Sequence, residues 1–398
     1  MRASGPPVVS TGSGRRNRWV WGMLTALTMS GVLSTPPLAA PFVPASDAEV
    51  LADLPAGAHH AGISAQHLAQ GRLEVAVPLA QFYIGQARAS GDLRFLGYAE
   101  AVLTPWVAQV TPVPDALVLW ATVQQSRHEF AAALQTLDRS LAVRPDDPQA
   151  WLTRATVLRV LGRYPQAADA CTRFAQLTDS GVGLICVAGI QGVTGQLERA
   201  YRALTGLSTQ GLLDAERAWR EAELGEMAVR LGRDADAEHW FQQELAHSPN
   251  DFYVRAAYAD LLLRRHRDAD ALALLKRQES IEPLLLRIAI AQKRLRDPRL
   301  KHSSDLLEVA FAAEAARGEP VHRREQARFL LEVLDRPQDA LAVALVNWTT
   351  QREPDDALVL VSAARAAGVP QQGQPALDFA RAHGLLDVRL VSAGGSTS

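Results

Sequence analysis

Small and large apolar residues recur about every 34 positions through the middle of this 398-residue chain. Phe130 and Tyr164 stand 34 apart, as do Ala121 and Ala155, Ala133 and Ala167, Gly225 and Ala259, and Ala237 and Ala271. Between them, Ala167 to Ala200 is 33 residues and Ala200 to Ala237 is 37. A fixed period of roughly 20–50 residues marks stacked supersecondary units, each too small to bury its own apolar face. That periodicity fixes the class of fold more tightly than any other feature of the sequence.

The unit itself is legible. In EFAAALQTLDRSLAVRP (129–145), Phe130, Ala133, Leu134, Leu137 and Leu141 recur at three- and four-residue spacing and form one stripe of a helix. Ala133 and Ser140 are small enough to let a neighbouring helix approach to about 8–10 Å between axes. Pro145 stops that helix, a second is expected from about 149 to 161, and Gly162 ends it in a left-handed turn before Tyr164 starts its partner. Each unit therefore reads helix, Gly-type turn, helix, Pro-type turn. Ala- and Leu-rich text with few Val, Ile and Thr alternations points the same way, to helix over strand. The expected fold is all-α, an array of about nine helix pairs over 74–385.

The pattern resembles the tetratricopeptide repeat. Unit 114–147 carries Trp120, Ala121, Phe130, Ala133, Leu137, Ser140 and Pro145 at the family's positions, while Gln124 departs. Unit 148–181 carries Trp151, Ala155, Leu158, Gly162, Tyr164 and Ala167, while Arg154 and Phe174 depart. Units 218–251 and 252–285 match through Leu224, Gly225, Gly232, Ala237, Phe241, Pro249, Tyr258, Ala259, Leu262, Ala271 and Leu275. The resemblance is close over 114–181 and 218–285 and loose over 74–113 and 286–385. It implies a right-handed superhelix whose concave wall is lined by the first helix of each pair. Carried residue by residue, that wall would present Thr122, Gln125, Thr156, Arg159, Tyr253 and Arg264 as a groove for a peptide or protein. The family's binders of chaperone tails need Lys and Asn where this chain has Val118, Thr122, Leu152 and Thr156, so that activity is not implied.

The first 40 residues differ from the rest. Arg2, Arg15, Arg16 and Arg18 precede the apolar run WVWGMLTALTMSGVL (19–33), and STPPLAAPF follows with small residues and prolines. A basic start, a short apolar stretch and a small-residue exit describe a secretory signal, although retention as an inner-membrane anchor is the alternative. The run is shorter than the roughly 20 residues a membrane span needs. A periplasmic location in a bacterial envelope is the expectation. Residues 41–73 read as a weakly helical lead-in and 386–398 as a frayed tail. From residue 41 onward the chain holds 37 Lys and Arg against 43 Asp and Glu, a balance unlike that of a general nucleic-acid binder. The two cysteines, Cys171 and Cys186, fall on a second helix and the first helix of the next pair; in an oxidising compartment they are expected to pair.

No catalytic motif emerges. His128–Glu129 lacks the second histidine of a zinc-protease helix, and His59, His60 and His67 lack an acid at ligand spacing. His322 opens a helix, where an exposed side chain is expected. SGVGLICVAGIQGVTG (180–195) is not a dinucleotide fingerprint, since no strand precedes it. No metal, cofactor or catalytic residue is assigned. Residues 264–302 hold eleven Lys and Arg against five acids, which is either a solvated helix face or a basic flank for an anionic partner. The sequence thus favours a non-enzymatic adaptor with a protein or peptide partner. The alternative is an enzyme-like or polymer-handling protein with its site in 286–385.

Overall fold

The protein is described from a computed structural model covering residues 71–111, 113–316 and 322–394. The signal-like segment and nearly all of the lead-in lie outside the described residues. Among those residues there are nineteen α-helices and no strand, and none is long and apolar enough to cross a membrane.

The helices pair in chain order. The first five pairs are α1 (Leu73–Ser90) with α2 (Arg94–Val107), α3 (Pro114–Ser126) with α4 (Phe130–Val143), α5 (Pro148–Val160) with α6 (Tyr164–Leu177), α7 (Ser180–Gln191) with α8 (Leu197–Thr205), and α9 (Asp214–Leu231) with α10 (Asp234–His247). The next four are α11 (Phe252–Arg264) with α12 (Asp268–Leu274), α13 (Glu282–Leu295) with α14 (Leu300–Ala316), α15 (Arg323–Arg328) with α16 (Pro337–Trp348), and α17 (Pro354–Ala366) with α18 (Gln374–His383). A π-helical turn at Phe329–Val333 extends α15, and α19 (Val388–Gly394) closes the described chain.

One backbone feature recurs in all nine pairs. The turn between the two helices of each contains a residue with positive φ: Gly91, His128, Gly162, Gly195, Gly232, His266, Arg296, Asp335 and Gly368. A left-handed residue closes the helix end and reverses the chain in a few residues. Five of the nine are glycine, which adopts this conformation without the steric penalty a Cβ brings. Prolines open the opposite junctions at Pro114, Pro148 and Pro354, where the missing N–H is not needed.

The small positions do the packing. Ala133, Ala167, Ala200, Ala237, Ala259 and Ala271 are fully buried. A Cβ on Gly225 would stand 2.4 Å from Cε1 of the buried Phe241 ring, so only glycine allows that contact between α9 and α10. Phe130, Leu137, Leu158, Phe174, Ile185, Leu204 and Leu224 run through one continuous core.

The array then folds back on itself. Early in the chain, a Cβ on Gly91 would lie 3.0 Å from Ile281, which places the first pair against the junction before α13. At the other end, the junction before α17, together with α18 and α19, lies against the turns of pairs three to five. The Arg352 N–H donates to the Val160 carbonyl at 2.8 Å. The Tyr164 hydroxyl donates to the Arg352 carbonyl at 3.1 Å, and the Tyr164 ring meets Phe379. Farther along, Gly384 touches Gly195 and Val388 touches Gly232. Tyr164 and Val193 accordingly share a core with Leu360, Ala376 and Leu390 rather than with their own neighbours in sequence.

Candidate functional site

The six groove residues expected from the repeat resemblance do not form one open wall. Thr122 is buried, and its hydroxyl donates to the Val118 carbonyl one turn back. Gln125 is 1% exposed. Neither side chain is open to a partner. The segment 351–353, between α16 and α17, reaches that region: Gln351 Nε2 lies 3.3 Å from Nδ1 of His128. Burial pushes His128 down to about 3, so its imidazole is neutral.

The remaining four are divided among three separate cavities. Thr156 and Arg159 line a space of only about 40 Å³ beside the cysteines, with Glu223 and Glu353. Arg159 Nη1 donates to Glu223 Oε1 at 2.6 Å, with both side chains largely buried. Burial opposes the charge on Arg159, but the Glu223 carboxylate outweighs it and holds the guanidinium above its ordinary pKa. Arg159 is therefore half of an internal ion pair and not a free cation on a binding wall. Tyr253 lines a cavity of about 580 Å³ with Arg88. Arg264 lines one of about 370 Å³ and is bound to Asp234. The expectation of one continuous surface through Thr122, Gln125, Thr156, Arg159, Tyr253 and Arg264 is corrected. The C-terminal helices partition it, which a carry-over from single repeats cannot foresee.

Cys171 of α6 and Cys186 of α7 form a disulfide with Cα atoms 5.5 Å apart. It is buried against the Arg159–Glu223 pair.

The 370 Å³ cavity has the most distinctive lining. Arg264 comes from α11, Arg287 and Arg294 from α13, Arg324 and Arg328 from α15, and Arg389 from α19. Four carboxylates, Glu226, Asp260, Glu332 and Asp355, share it with these six guanidiniums. The arginines are fixed in place by acids. Asp260 receives Arg287 and Arg328, Asp355 receives Arg389, and Arg294 bonds the Leu263 carbonyl and Asp268. Arg328 is buried, yet Asp260 and Glu332 keep its pKa above the ordinary value. Arg264 and Arg294 remain about a third exposed, at 32% and 35% of their side-chain surface. Three of the six come from the basic stretch 264–302. Arg324, Arg328 and Arg389 lie outside it, and only the fold brings them there. Below the cavity, Arg324 meets Glu325, Glu353 and Asp356, and Asn347 donates to Asp356. Burial pushes the Asp356 carboxyl above its usual range.

His322 is not solvated. Its imidazole is 11% exposed and sits between Glu282 and Glu314.

The geometry of nine stacked pairs with one left-handed turn each decides the architecture. The chain is a tetratricopeptide-like helical solenoid. No known family profile matches it, and no curated protein does. Among solved structures it is similar to a Pseudomonas aeruginosa pilF protein, at 20% identity over 50% of this chain and 92% of that one, TM-score 0.38. It is similar to a tetratricopeptide repeat protein from Parabacteroides merdae, at 16% identity over 58% and 93%, TM-score 0.38. Human IFIT1, solved as a dimer with m7Gppp-AAAA, is 11% identical over 82% of this chain and 86% of its own, TM-score 0.44. At these values the likeness extends no further than helix-pair architecture.

Proposed function

We propose that the protein is a non-enzymatic scaffold of the bacterial envelope, exported by its N-terminal segment, that captures an acidic segment of a protein partner at the arginine-lined cavity. The observation that carries this reading is the convergence of six guanidinium groups from four helices on one 370 Å³ space. Arginine presents a rigid fork of donors that suits carboxylates, and it stays charged when partly buried. Arg264 and Arg294 stand at the accessible side and are the first groups an incoming acidic side chain would meet. The disulfide supports an oxidising compartment, since such bonds persist outside the reducing cytosol.

The test uses fluorescence anisotropy with a labelled Glu-rich peptide, a Lys-rich peptide as control, and a salt series. The Glu-rich peptide should bind, and binding should weaken with salt. The double change Arg264→Gln and Arg294→Gln should weaken it by about tenfold or more, because those charges steer and hold the acidic partner. Equal binding of both peptides, or full binding by the double variant, contradicts the reading. If binding is instead lost on Phe82→Ser, the contact lies at the first helix pair, where Phe82 and Tyr98 are 56% and 47% exposed.

A further inference from the structure

Away from the arginines, three side chains from three helices converge on one point. Glu282 begins α13, Glu314 lies in the last turn of α14, and His322 caps the start of α15. His322 Nδ1 lies 2.6 Å from Glu314 Oε1 and 3.1 Å from Glu282 Oε1. The His322 N–H also donates to Glu314 Oε2 at 3.3 Å. One donor atom from each residue lies within 4.8 Å of the other two.

Protons alone serve this arrangement poorly. A ring nitrogen carries one hydrogen, and the shorter contact directs it to Glu314. Glu282 Oε1 is then left buried without a hydrogen-bond partner. A buried acceptor left unpaired is unfavourable, and two carboxylates converging on one imidazole nitrogen compound it. A divalent cation resolves both problems, because it accepts one lone pair from each of the three groups and offsets both negative charges.

We infer that Glu282, Glu314 and His322 bind a divalent transition-metal ion of the zinc class, which clips the seventh helix pair to the eighth. The nitrogen ligand selects against calcium and magnesium, which take oxygen ligands, and suits zinc or cobalt. Metal–ligand distances of about 2.0–2.2 Å in a tetrahedron set ligand atoms about 3.3 Å apart. The observed 2.6 and 3.1 Å separations reach that spacing by small side-chain rotations. Among the described residues, three protein ligands are present. The fourth position faces the 580 Å³ cavity, which all three residues line and which gives an ion and a water a way in. The ligands lie 32 and 8 residues apart in sequence, on separate helices, so no motif announces them.

The experiment titrates Co²⁺ into untagged, full-length protein in which His59, His60 and His67 are changed to Asn, to remove competing imidazoles. One equivalent should give visible d–d absorption, Zn²⁺ should abolish it, and Zn²⁺ should raise the melting temperature. Glu282→Gln and His322→Asn should each weaken binding by at least about tenfold, as loss of a ligand does. Glu282→Gln is the variant least exposed to folding failure, since its side chain is at a helix start and 17% accessible; circular dichroism checks both. If the folded parent gives no d–d band and no zinc-dependent stabilisation, or if both variants retain binding, the cluster holds a proton only and the inference fails.

Discussion

The hydroxyl of Tyr164 donates to the backbone carbonyl of Arg352, 188 residues later in the chain, at 3.1 Å. Tyr164 opens the second helix of the third pair, and Arg352 lies in the junction before the ninth. The contact fixes the C-terminal helices onto the face that an open solenoid would offer to a partner. Gly162, two residues earlier, permits it: a Cβ there would stand 2.7 Å from the Phe379 ring and 2.9 Å from Arg352 Cβ.

Gly162→Ala should therefore cost more than its backbone strain. A left-handed φ of 70° costs a non-glycine residue roughly 1–2 kcal/mol, and the clash with two C-terminal side chains adds to it. Tyr164→Phe should cost about 1–3 kcal/mol, because the Arg352 carbonyl loses its hydroxyl partner. Both losses are read by denaturant unfolding. In limited proteolysis, both variants should release fragments cut near residue 352 faster than the parent does.

Arg159→Gln should destabilise the fold by about 1.5–3 kcal/mol, because it removes a short charge-assisted hydrogen bond from the buried Glu223 carboxylate. An ordinary exposed groove residue would change stability by less than about 0.5 kcal/mol. Thermal or chemical melting distinguishes the two.

Glu244 sets a pH dependence. It is 1% exposed, and burial, with Asp251 and Glu221 adding to it, pushes its carboxyl from 4.5 up to about 9. The folded chain thus keeps a proton that the unfolded chain releases above pH 4.5. Stability from this group falls as pH rises from about 4.5 to 9, by about 1.4 kcal/mol per unit. Glu244→Gln should remove that slope and stabilise the protein by about 3–4 kcal/mol at pH 7. Denaturation midpoints measured across pH 5–9, on the order of half a unit apart, check the sign.

His266 holds the turn of the sixth pair at φ 55° with an exposed side chain. His266→Gly relieves the left-handed strain but raises the entropy of the unfolded chain, for a net gain of about 0.5–1 kcal/mol. A rise in melting temperature supports the turn geometry; a fall contradicts it.

These turns also show what the sequence could convey. Gly162 and Gly232 stand at the expected place and mark their pairs, and Ala133, Ala167 and Ala237 give the helix contacts directly. His128, His266, Arg296 and Asp335 take the same conformation without a sequence signal, because tertiary packing overrides their local preference. The groove was less legible still. Its wall positions follow from one repeat, but Glu353, which shares a cavity with Thr156 and Arg159, lies about 200 residues away in sequence. Likewise, Arg264 and Arg294 belong to a visible basic stretch, whereas Arg324 and Arg389 join them only through the fold.

Hydrogen–deuterium exchange at Arg352 tests the closed inner face most directly. Its N–H donates to the Val160 carbonyl at 2.8 Å, and no regular helix surrounds it. If the C-terminal helices close the solenoid, this junction amide should exchange as slowly as the amides of α5, and Tyr164→Phe should accelerate it. Exchange at the rate of an exposed loop in the unmodified protein would mean that the helices stand away from the third pair and the concave wall is open.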